Sequence, residues 1–244
     1  MRANIARVSS VWRVEPLLAG TSYSSSCTLV TNSSHRVVID TGLSIQERSL
    51  LDALRARGLD PADVDLVVNT HLHVDHCGNN VVFPRAAIAL SKHELQWTFA
   101  FYDAVFASRA PEEAAARFYP ELPASGIAPR TIRKVTRVAR LMWNRDRVGS
   151  EERFRWLETS NLPAGLDVIA TPGHTPHHIS IRVAASPPVI VSGDAILARS
   201  YGARIRTMIP HSRMQYEATR GALLQFGLPI IPGHDAPFAA AEGV

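Results

Sequence analysis

Short apolar runs, separated by polar and turn-rich segments, dominate the first 91 residues. The runs at 27–30, 36–40, 65–69 and 86–91 each have the length of a β-strand. The run at 65–69 is apolar without alternation, as is typical of a strand that is covered on both faces. Between the second and third runs, apolar residues keep helical spacing until Gly58 and Pro61. Ser44 and Glu47 are predicted to form a capping box at the start of that helix.

The C-terminal third repeats the strand pattern. Strands are predicted within the segments 166–173, 178–183, 189–194 and 228–234, with a helix at about 213–226 before the last of them. We therefore expect an α+β protein in which a mixed sheet system is sandwiched by helices. The whole chain, residues 1–244, is predicted to form a single domain.

The middle of the chain has a different composition. Residues 97–156 contain ten of the seventeen aromatic residues, together with a basic run from Arg130 to Arg147. Helical spacing within that run predicts one apolar face, formed by Ile132, Val135, Ala139 and Met142. We interpret this block as a largely helical insertion. It is expected to act as a lid over the site or as a subunit interface, or else to pack its own small core.

Composition narrows the classes of protein. The chain has 244 residues, 46% of them hydrophobic, which is ordinary for a soluble globular protein. It lacks an 18-residue apolar run and an N-terminal apolar segment of the secretory kind, so neither a membrane helix nor a signal peptide is expected. Only two cysteines occur, which favours the cytoplasm over a disulfide framework. A net charge of +4 is too small to favour a nucleic acid partner.

The segment NTHLHVDHCGNN (69–80) concentrates ligand-capable side chains after a buried strand. His71, His73, Asp75 and His76 lie within six positions. Leaving such groups buried and unpartnered costs about 1–3 kcal/mol each, so a bound metal is the economical explanation. Imidazole and carboxylate without thiolate suit zinc, and also iron or manganese.

Three further polar residues follow other apolar strands. His174 lies in a Pro-Gly turn, Asp194 just past VIVSG, and His234 just past the last strand. Strand ends can converge at one edge of a sheet, which would bring these residues to the first four. A tetrahedral zinc takes three or four ligands, so the enlarged set fits two metals with one carboxylate bridging them.

The pattern H-x-H-x-D-H at 71–76, followed by His174, Asp194 and His234, resembles the metallo-β-lactamase superfamily. The T-G pair at 41–42, the PGH turn and the GD motif extend the resemblance over about residues 25–238. The resemblance implies an αββα sandwich with two divalent metal ions at one edge. It further implies that the first metal is held by His71, His73 and His174, the second by Asp75, His76 and His234, and that Asp194 bridges.

A hydroxide bridging two such metals could attack an electron-poor carbon or phosphorus. Asp75 is the candidate catalytic residue, which orients this nucleophile or passes a proton. The wording around the first motif is similar to that of quorum-quenching lactonases. Those enzymes carry a tyrosine three residues after the bridging aspartate, where this chain has Leu197; Tyr201 is the nearest candidate to replace it.

We therefore expect a dinuclear metallohydrolase of a small hydrophobic or aromatic lactone, ester or activated aryl ether. The candidate substrate contacts are Tyr201, His178 and His211. The alternatives are a metal-dependent nuclease or phosphodiesterase, and a binding protein that keeps the metals. A homodimer or a complex with a related chain is a further expectation.

Overall fold

Two β-sheets form the centre of the molecule. A computed structural model of the protein describes residues 11–200 and 209–242. The larger sheet contains, in spatial order, β1 (Arg13–Leu18), β2 (Cys27–Thr31), β3 (Arg36–Ile39), β4 (Leu66–Val68), β5 (Ala87–Leu90) and β6 (Phe154–Trp156). Its first three strands form an antiparallel meander, and β3 to β6 run parallel.

The second sheet has four strands. In spatial order they are β10 (Ile230–Pro232), β9 (Val189–Gly193), β8 (Ile179–Val183) and β7 (Leu166–Ala170). β7, β8 and β9 pair antiparallel, whereas β10 pairs parallel to β9. Each of these four strands lies within the segment that the hydrophobic pattern predicts for it, whereas β1 of the larger sheet was not predicted.

The alternation of side chains along the strands separates the layers. On β3, Val37 and Ile39 point into the core between the two sheets, where they meet Ile181 of β8. Val38, between them, packs on the opposite side of the sheet against Leu50 and Leu54. Those two leucines belong to α1 (Glu47–Arg55), which covers the outer face of the larger sheet.

A second helix covers the smaller sheet in the same way. Leu223 of α6 (Arg213–Gln225) packs against Ile190 and Ile230 on the outer face of β9 and β10. The order of layers is therefore helix, sheet, sheet, helix, which confirms the predicted αββα sandwich. The described residues contain no helix that combines the length and apolar composition needed to cross a bilayer.

The start of α1 differs from the prediction. Ser44 lies inside a short 3-10 turn, Ser44–Gln46, and the α-helix begins only at Glu47. The Gln46 side chain, rather than Glu47, accepts a hydrogen bond from the Leu43 backbone N–H. The predicted capping box at Ser44 and Glu47 is therefore wrong, because the tighter turn shifts both residues away from capping positions.

Three helices connect β5 to β6 and form what we call the insertion helices. They are α3 (Lys92–Ala107), α4 (Pro111–Phe118) and α5 (Pro129–Met142), so the block is helical as predicted, although it begins before residue 97 and its last three residues form β6. On α5, Ile132, Ala139 and Met142 are half-buried, whereas Val135 is 61% exposed. Placing Val135 on the packed face is wrong, because only one narrow side of α5 meets α3 and α4.

Candidate metal centre

The first group of candidate ligands converges at the end of the strands. His71 and His73 lie in the loop between β4 and α2 (Val74–Cys77), and His174 lies in the turn between β7 and β8. The Nδ1 atom of His73 is 3.0 Å from His71 Nε2 and 2.9 Å from His174 Nε2. Asp194, just beyond β9, places Oδ2 3.2 Å from His174 Nε2.

The second group lies beside the first. Asp75 and His76 belong to α2, and His234 follows β10. His234 Nε2 is 3.4 Å from Asp75 Oδ2 and 3.3 Å from Asp194 Oδ1. His76 Nε2 is 3.2 Å from the same Oδ1 atom. Asp194 thus turns one carboxylate oxygen toward each group.

Two buried atoms at the centre of the site make no hydrogen bond of normal geometry. Among the described residues these atoms are His76 Nε2 and Asp194 Oδ1, which lie 3.2 Å from each other. Within each group the ligand atoms lie within 4.8 Å of one another, and ligand atoms around a tetrahedral zinc are about 3.3 Å apart. Imidazole nitrogens and carboxylate oxygens are suitable donors for such an ion. The residues therefore fit two divalent metal ions.

The histidines of the first group are held in the neutral form. Burial lowers the pKa of His71 and of His174 well below the usual range, and it lowers the pKa of His73 to about 4. Each ring therefore keeps a lone pair that can coordinate a metal at neutral pH.

The second group is dominated by negative charge. Burial works against protonation of His76 and His234, but the neighbouring carboxylates outweigh it. Asp194 and Asp40 raise the pKa of His76, and Asp194 raises the pKa of His234 to about 9. Burial likewise opposes ionisation of Asp194, yet His234 and His76 hold the pKa of this carboxyl well below its usual range. Protonation of these two imidazoles and binding of a cation would thus offset the same negative charge.

Asp40 supports this second group and was missed by the sequence analysis. Its carboxylate accepts hydrogen bonds from the backbone N–H and the hydroxyl of Thr70, at 2.9 and 2.8 Å, and contacts His76 Nδ1 at 2.8 Å. The contact orients the ring so that Nε2 faces Asp194. Asp40 has φ 55°, a conformation that a non-glycine residue adopts only when its surroundings impose it. Its signal in the sequence is an aspartate that ends a buried strand just before T-G.

A glycine allows the close approach at Asp194. A Cβ atom added at Gly233 would lie 2.0 Å from Asp194 Oδ1. Only a residue without a side chain lets the last strand pass this close to the shared carboxylate. Gly233, in the PGH sequence that ends at His234, is therefore needed for the close packing of the site.

His178 occupies a supporting position. The ring is buried, with Nδ1 2.8 Å from the Thr171 hydroxyl and Nε2 accepting the Asp194 backbone N–H at 3.1 Å. Both nitrogens are occupied, so neither is available to a substrate. A substrate contact was expected at His178, but its ring instead supports the loop that carries Asp194.

Glu94, on the first turn of α3, is a second residue that the sequence analysis missed. Its buried carboxylate accepts hydrogen bonds from the hydroxyls of Thr175, at 2.8 Å, and Thr98, at 3.2 Å. Burial raises its pKa to about 7, and hydrogen bonds, including those at the backbone of Leu72 and His177, offset this only in part. Glu94 therefore joins the two loops that carry His73 and His174.

Besides Glu94, the insertion helices reach the site at the end of α4, through Tyr119 and through the Phe118 carbonyl. Tyr119, at the end of α4, places its hydroxyl 2.9 Å from His73 Nε2. His211 is half-buried; its Nδ1 donates to the Phe118 carbonyl at 2.6 Å, and its backbone N–H donates to the His174 carbonyl at 3.1 Å. A substrate contact at His211 stays a prediction. Tyr201 lies outside the described residues.

An αββα sandwich with histidine and aspartate clusters at one edge of its sheets is the architecture of a class of metallohydrolases. The family model of the metallo-beta-lactamase superfamily matches residues 20–234, and the chain belongs to this superfamily. The resemblance inferred from the sequence motifs is thereby confirmed.

Several named proteins are similar in sequence to this chain. Metallo-beta-lactamase domain-containing protein 1 of Xenopus laevis is 30% identical over 206 residues, covering 83% of this chain and 67% of that protein. For the human protein of the same name the identity is 28%, with coverage of 83% and 59%. N-acyl homoserine lactonase AttM of Agrobacterium fabrum is 28% identical over 62% of this chain and 48% of its own length. The chain thus spans about half to two thirds of these relatives.

Solved structures share the fold. An N-acyl homoserine lactone hydrolase, with product bound at its catalytic metal centre, superposes with a TM-score of 0.60 at 15% identity, covering 93% of both chains. AidC, a dizinc quorum-quenching lactonase, gives 0.58 at 17% identity over 86% of this chain and 72% of its own. At these identities the likeness concerns the fold alone.

Proposed function

We propose that the protein is a dinuclear metal-dependent hydrolase of a small hydrophobic or aromatic ester, lactone or activated aryl ether. The observation that carries the proposal is the position of Asp194, whose two carboxylate oxygens face separate ligand groups at 3.2–3.3 Å. A carboxylate in this position can neutralise part of the charge of two ions at once. Zinc is the proposed metal, with iron and manganese as alternatives, because the donor set lacks thiolate.

Asp75 and Asp194 have different roles in the proposed reaction. When bound, two divalent ions would supply an activated water and polarise the substrate oxygen. Asp75 has a side chain that is 16% exposed, more open than that of Asp194, and it lies 3.4 Å from His234. It is therefore placed to orient a water or to accept and return a proton. Asp194 remains fixed, because Gly233 and the His178 contact leave it little room to move.

The proposed class of substrate depends on the insertion helices. Trp97, Phe101 and Phe118 pack on one another and on Tyr119, which fits the alternative that the aromatics form the insertion's own core. Tyr119 nevertheless brings this cluster to the metal centre. A wall of aromatic side chains beside a polar centre favours an apolar acyl or aryl group in the substrate.

The chain departs from the lactonases at the position three residues after Asp194. Leu197 stands where the resemblance leads us to expect a tyrosine, and its side chain is buried while its carbonyl accepts the His234 backbone N–H at 2.8 Å. It therefore offers no hydroxyl to a carbonyl substrate. This difference supports a substrate other than the homoserine lactones named for the relatives.

A substrate panel combined with metal analysis tests the proposal. The purified chain, loaded with zinc, iron or manganese, would be assayed with lactones, aryl esters, aryl ethers, a bis-aryl phosphate and RNA. We expect turnover of at least one ester, lactone or ether, lost on chelation and restored by metal. Two bound metals without turnover of any compound would favour the binding-protein alternative.

The second candidate is a nuclease or phosphodiesterase, and the exposed cations of α5 favour it. The helix contains no acidic residue, and Arg130, Lys134 and Arg137 are exposed. Arg133 and Arg140, in contrast, are engaged with Glu112 and the Phe106 carbonyl. Arg137→Glu would weaken RNA binding and its salt dependence under this candidate, and would leave ester hydrolysis unchanged under the first.

Compartment and assembly remain proposals. Cys27 and Cys77 are both buried and unbridged, which fits the reducing cytoplasm. The exposed apolar side chains of α5, such as Leu141, supply surface for a homodimer or a complex with a related chain. Light scattering across a range of concentrations measures whether such an assembly forms.

A further inference from the structure

His73 is the point at which the first ligand group and the insertion helices meet. Its Nδ1 atom lies within 3.0 Å of both His71 Nε2 and His174 Nε2, so this nitrogen faces the centre of the group. Its other nitrogen, Nε2, lies 2.9 Å from the hydroxyl of Tyr119. A neutral imidazole that offers a lone pair at one nitrogen carries its hydrogen on the other. When Nδ1 coordinates a metal ion, His73 therefore donates from Nε2, and the phenol oxygen of Tyr119 accepts.

Tyr119 is held in place by its own surroundings. The residue is buried, its backbone N–H closes the last turn of α4 on the Ala115 carbonyl, and its ring packs edge-on against Trp97 and Phe101 at 5.5 and 5.4 Å. The hydroxyl is thus presented to His73 by a packed cluster rather than by a mobile side chain.

The neighbouring residue extends this connection. The Phe118 carbonyl accepts a hydrogen bond from His211 Nδ1, and the His211 backbone N–H is bonded to the His174 carbonyl. The end of α4 therefore contacts one ligand directly and the loop of another through one intermediate residue.

We propose that Tyr119 is a positioning residue of the metal centre, which fixes the ring orientation and the tautomer of His73 through its hydroxyl. The inference rests on the proposed function, because it assumes that His73 holds a metal ion. It makes the insertion a structural part of the first metal position rather than only a cover. Ligand-supporting hydrogen bonds of this kind contribute about 10–100-fold to metal affinity.

Metal affinity of Tyr119→Phe in the full chain tests the proposal. The substitution keeps the aromatic ring and removes only the oxygen. Competition with a chromophoric chelator should show one of the two zinc equivalents bound about 10–100-fold more weakly, and the other nearly as in the wild type. The nitrogen NMR spectrum of the zinc-loaded wild type should show a protected Nε2–H on His73, and this signal should be lost or exchange faster in the variant.

Phe106→Leu is the matched control, because Phe106 packs in the same insertion cluster with its ring against Tyr102, and the substitution leaves the rings that hold Tyr119 in place. It should lower the melting temperature and preserve both zinc affinities. Equal affinities in Tyr119→Phe and the wild type would overturn the role of the hydroxyl, as would an equal weakening in Phe106→Leu. A wild-type chain that takes up no metal would instead overturn the proposed function itself.

Discussion

The loops that carry the candidate ligands and helix α5 lie at opposite extremes of burial among the described residues. His71, His76 and Asp194 are at most 1% exposed, and each is held by contacts to neighbouring elements. In α5, which falls entirely within the described residues, no side chain is fully buried and Leu141 is 87% exposed.

This difference in burial indicates which parts of the molecule contribute most to its stability. Ligands on short loops between packed strands are preorganised, so they can hold cations without a large rearrangement. The insertion helices pack largely on their own aromatic cluster and reach the loops of the candidate ligands through Tyr119 and Glu94. We therefore expect substitutions at the strand ends to have the largest effects on metal binding and stability. Substitutions of residues that connect the loops should have smaller effects, and those on the outer face of α5 the smallest.

The largest effect is expected from Asp194→Asn. An amide keeps the shape of the side chain but loses the charge that faces both ligand groups, so at least one metal equivalent should be lost. Hydrolysis of the best substrate should fall by more than about 100-fold, since even supporting contacts of metal sites are worth 10–100-fold. Metal content and kcat/KM are the measurements.

Asp167→Asn is the control for that substitution. Asp167 lies on β7 of the same sheet, half exposed, and within the described part of the chain it pairs with Arg182 at 2.8 Å. An exposed pair contributes at most about 1 kcal/mol, so activity and metal content should stay at the wild-type level. If both aspartate variants kept two metals and full turnover, the shared carboxylate would have no role.

An intermediate effect is expected at Glu94, and it depends on pH. Because the folded pKa is raised from 4.5 to about 7, the protonated carboxyl stabilises the fold fully below about pH 4.5, and this contribution is lost as pH rises through 7. The loss amounts to at most about 3 kcal/mol. Glu94→Gln, which stays neutral, should therefore gain stability relative to the wild type between pH 5 and pH 8.

Urea unfolding at several pH values measures this difference. Glu113→Gln, at an exposed position of α4, is the control and should follow the wild-type profile. Parallel profiles for Glu94→Gln and the wild type would mean that Glu94 is not the buried, proton-binding connector between the two loops.

The smallest effect is expected from Leu141→Gln on α5. In a single chain, substitution of a side chain that is 87% exposed changes the free energy of unfolding by less than about 0.5 kcal/mol, and activity should not change. Leu122→Gln, inside the buried cluster of the insertion, should instead lower stability by about 2–4 kcal/mol. A large loss of stability at Leu141 would contradict the single-chain expectation and support the proposed assembly, in which another chain covers this face in solution.

The candidate ligands could be predicted from the sequence because each follows an apolar strand, and the ends of neighbouring strands meet. Asp40 could not, since its positive φ and its contact with His76 arise only when β3 and β4 pair. Glu94 has the ordinary appearance of an acidic residue in the first turn of a helix. Its connection of the two loops depends on its burial, which the sequence pattern does not indicate.

Tyr119 shows the same limit over a longer distance. It lies 46 positions from His73, in a segment whose aromatic content predicts packing but not which ring reaches the site. The exposed face of α5 was also assigned incorrectly at Val135, because helical spacing identifies an apolar face and not the neighbours that would cover it. Local pattern thus predicted most of the strands and helices, but not β1 or β6, and tertiary contacts determined the supporting residues.

Metal stoichiometry of the wild-type chain tests the central claim most directly. Elemental analysis of protein purified without chelator, then saturated with zinc and freed of excess ion, should give close to two equivalents per chain. A saturated value of one equivalent or less would contradict the account, because the two ligand groups around Asp194 would then not hold one metal ion each.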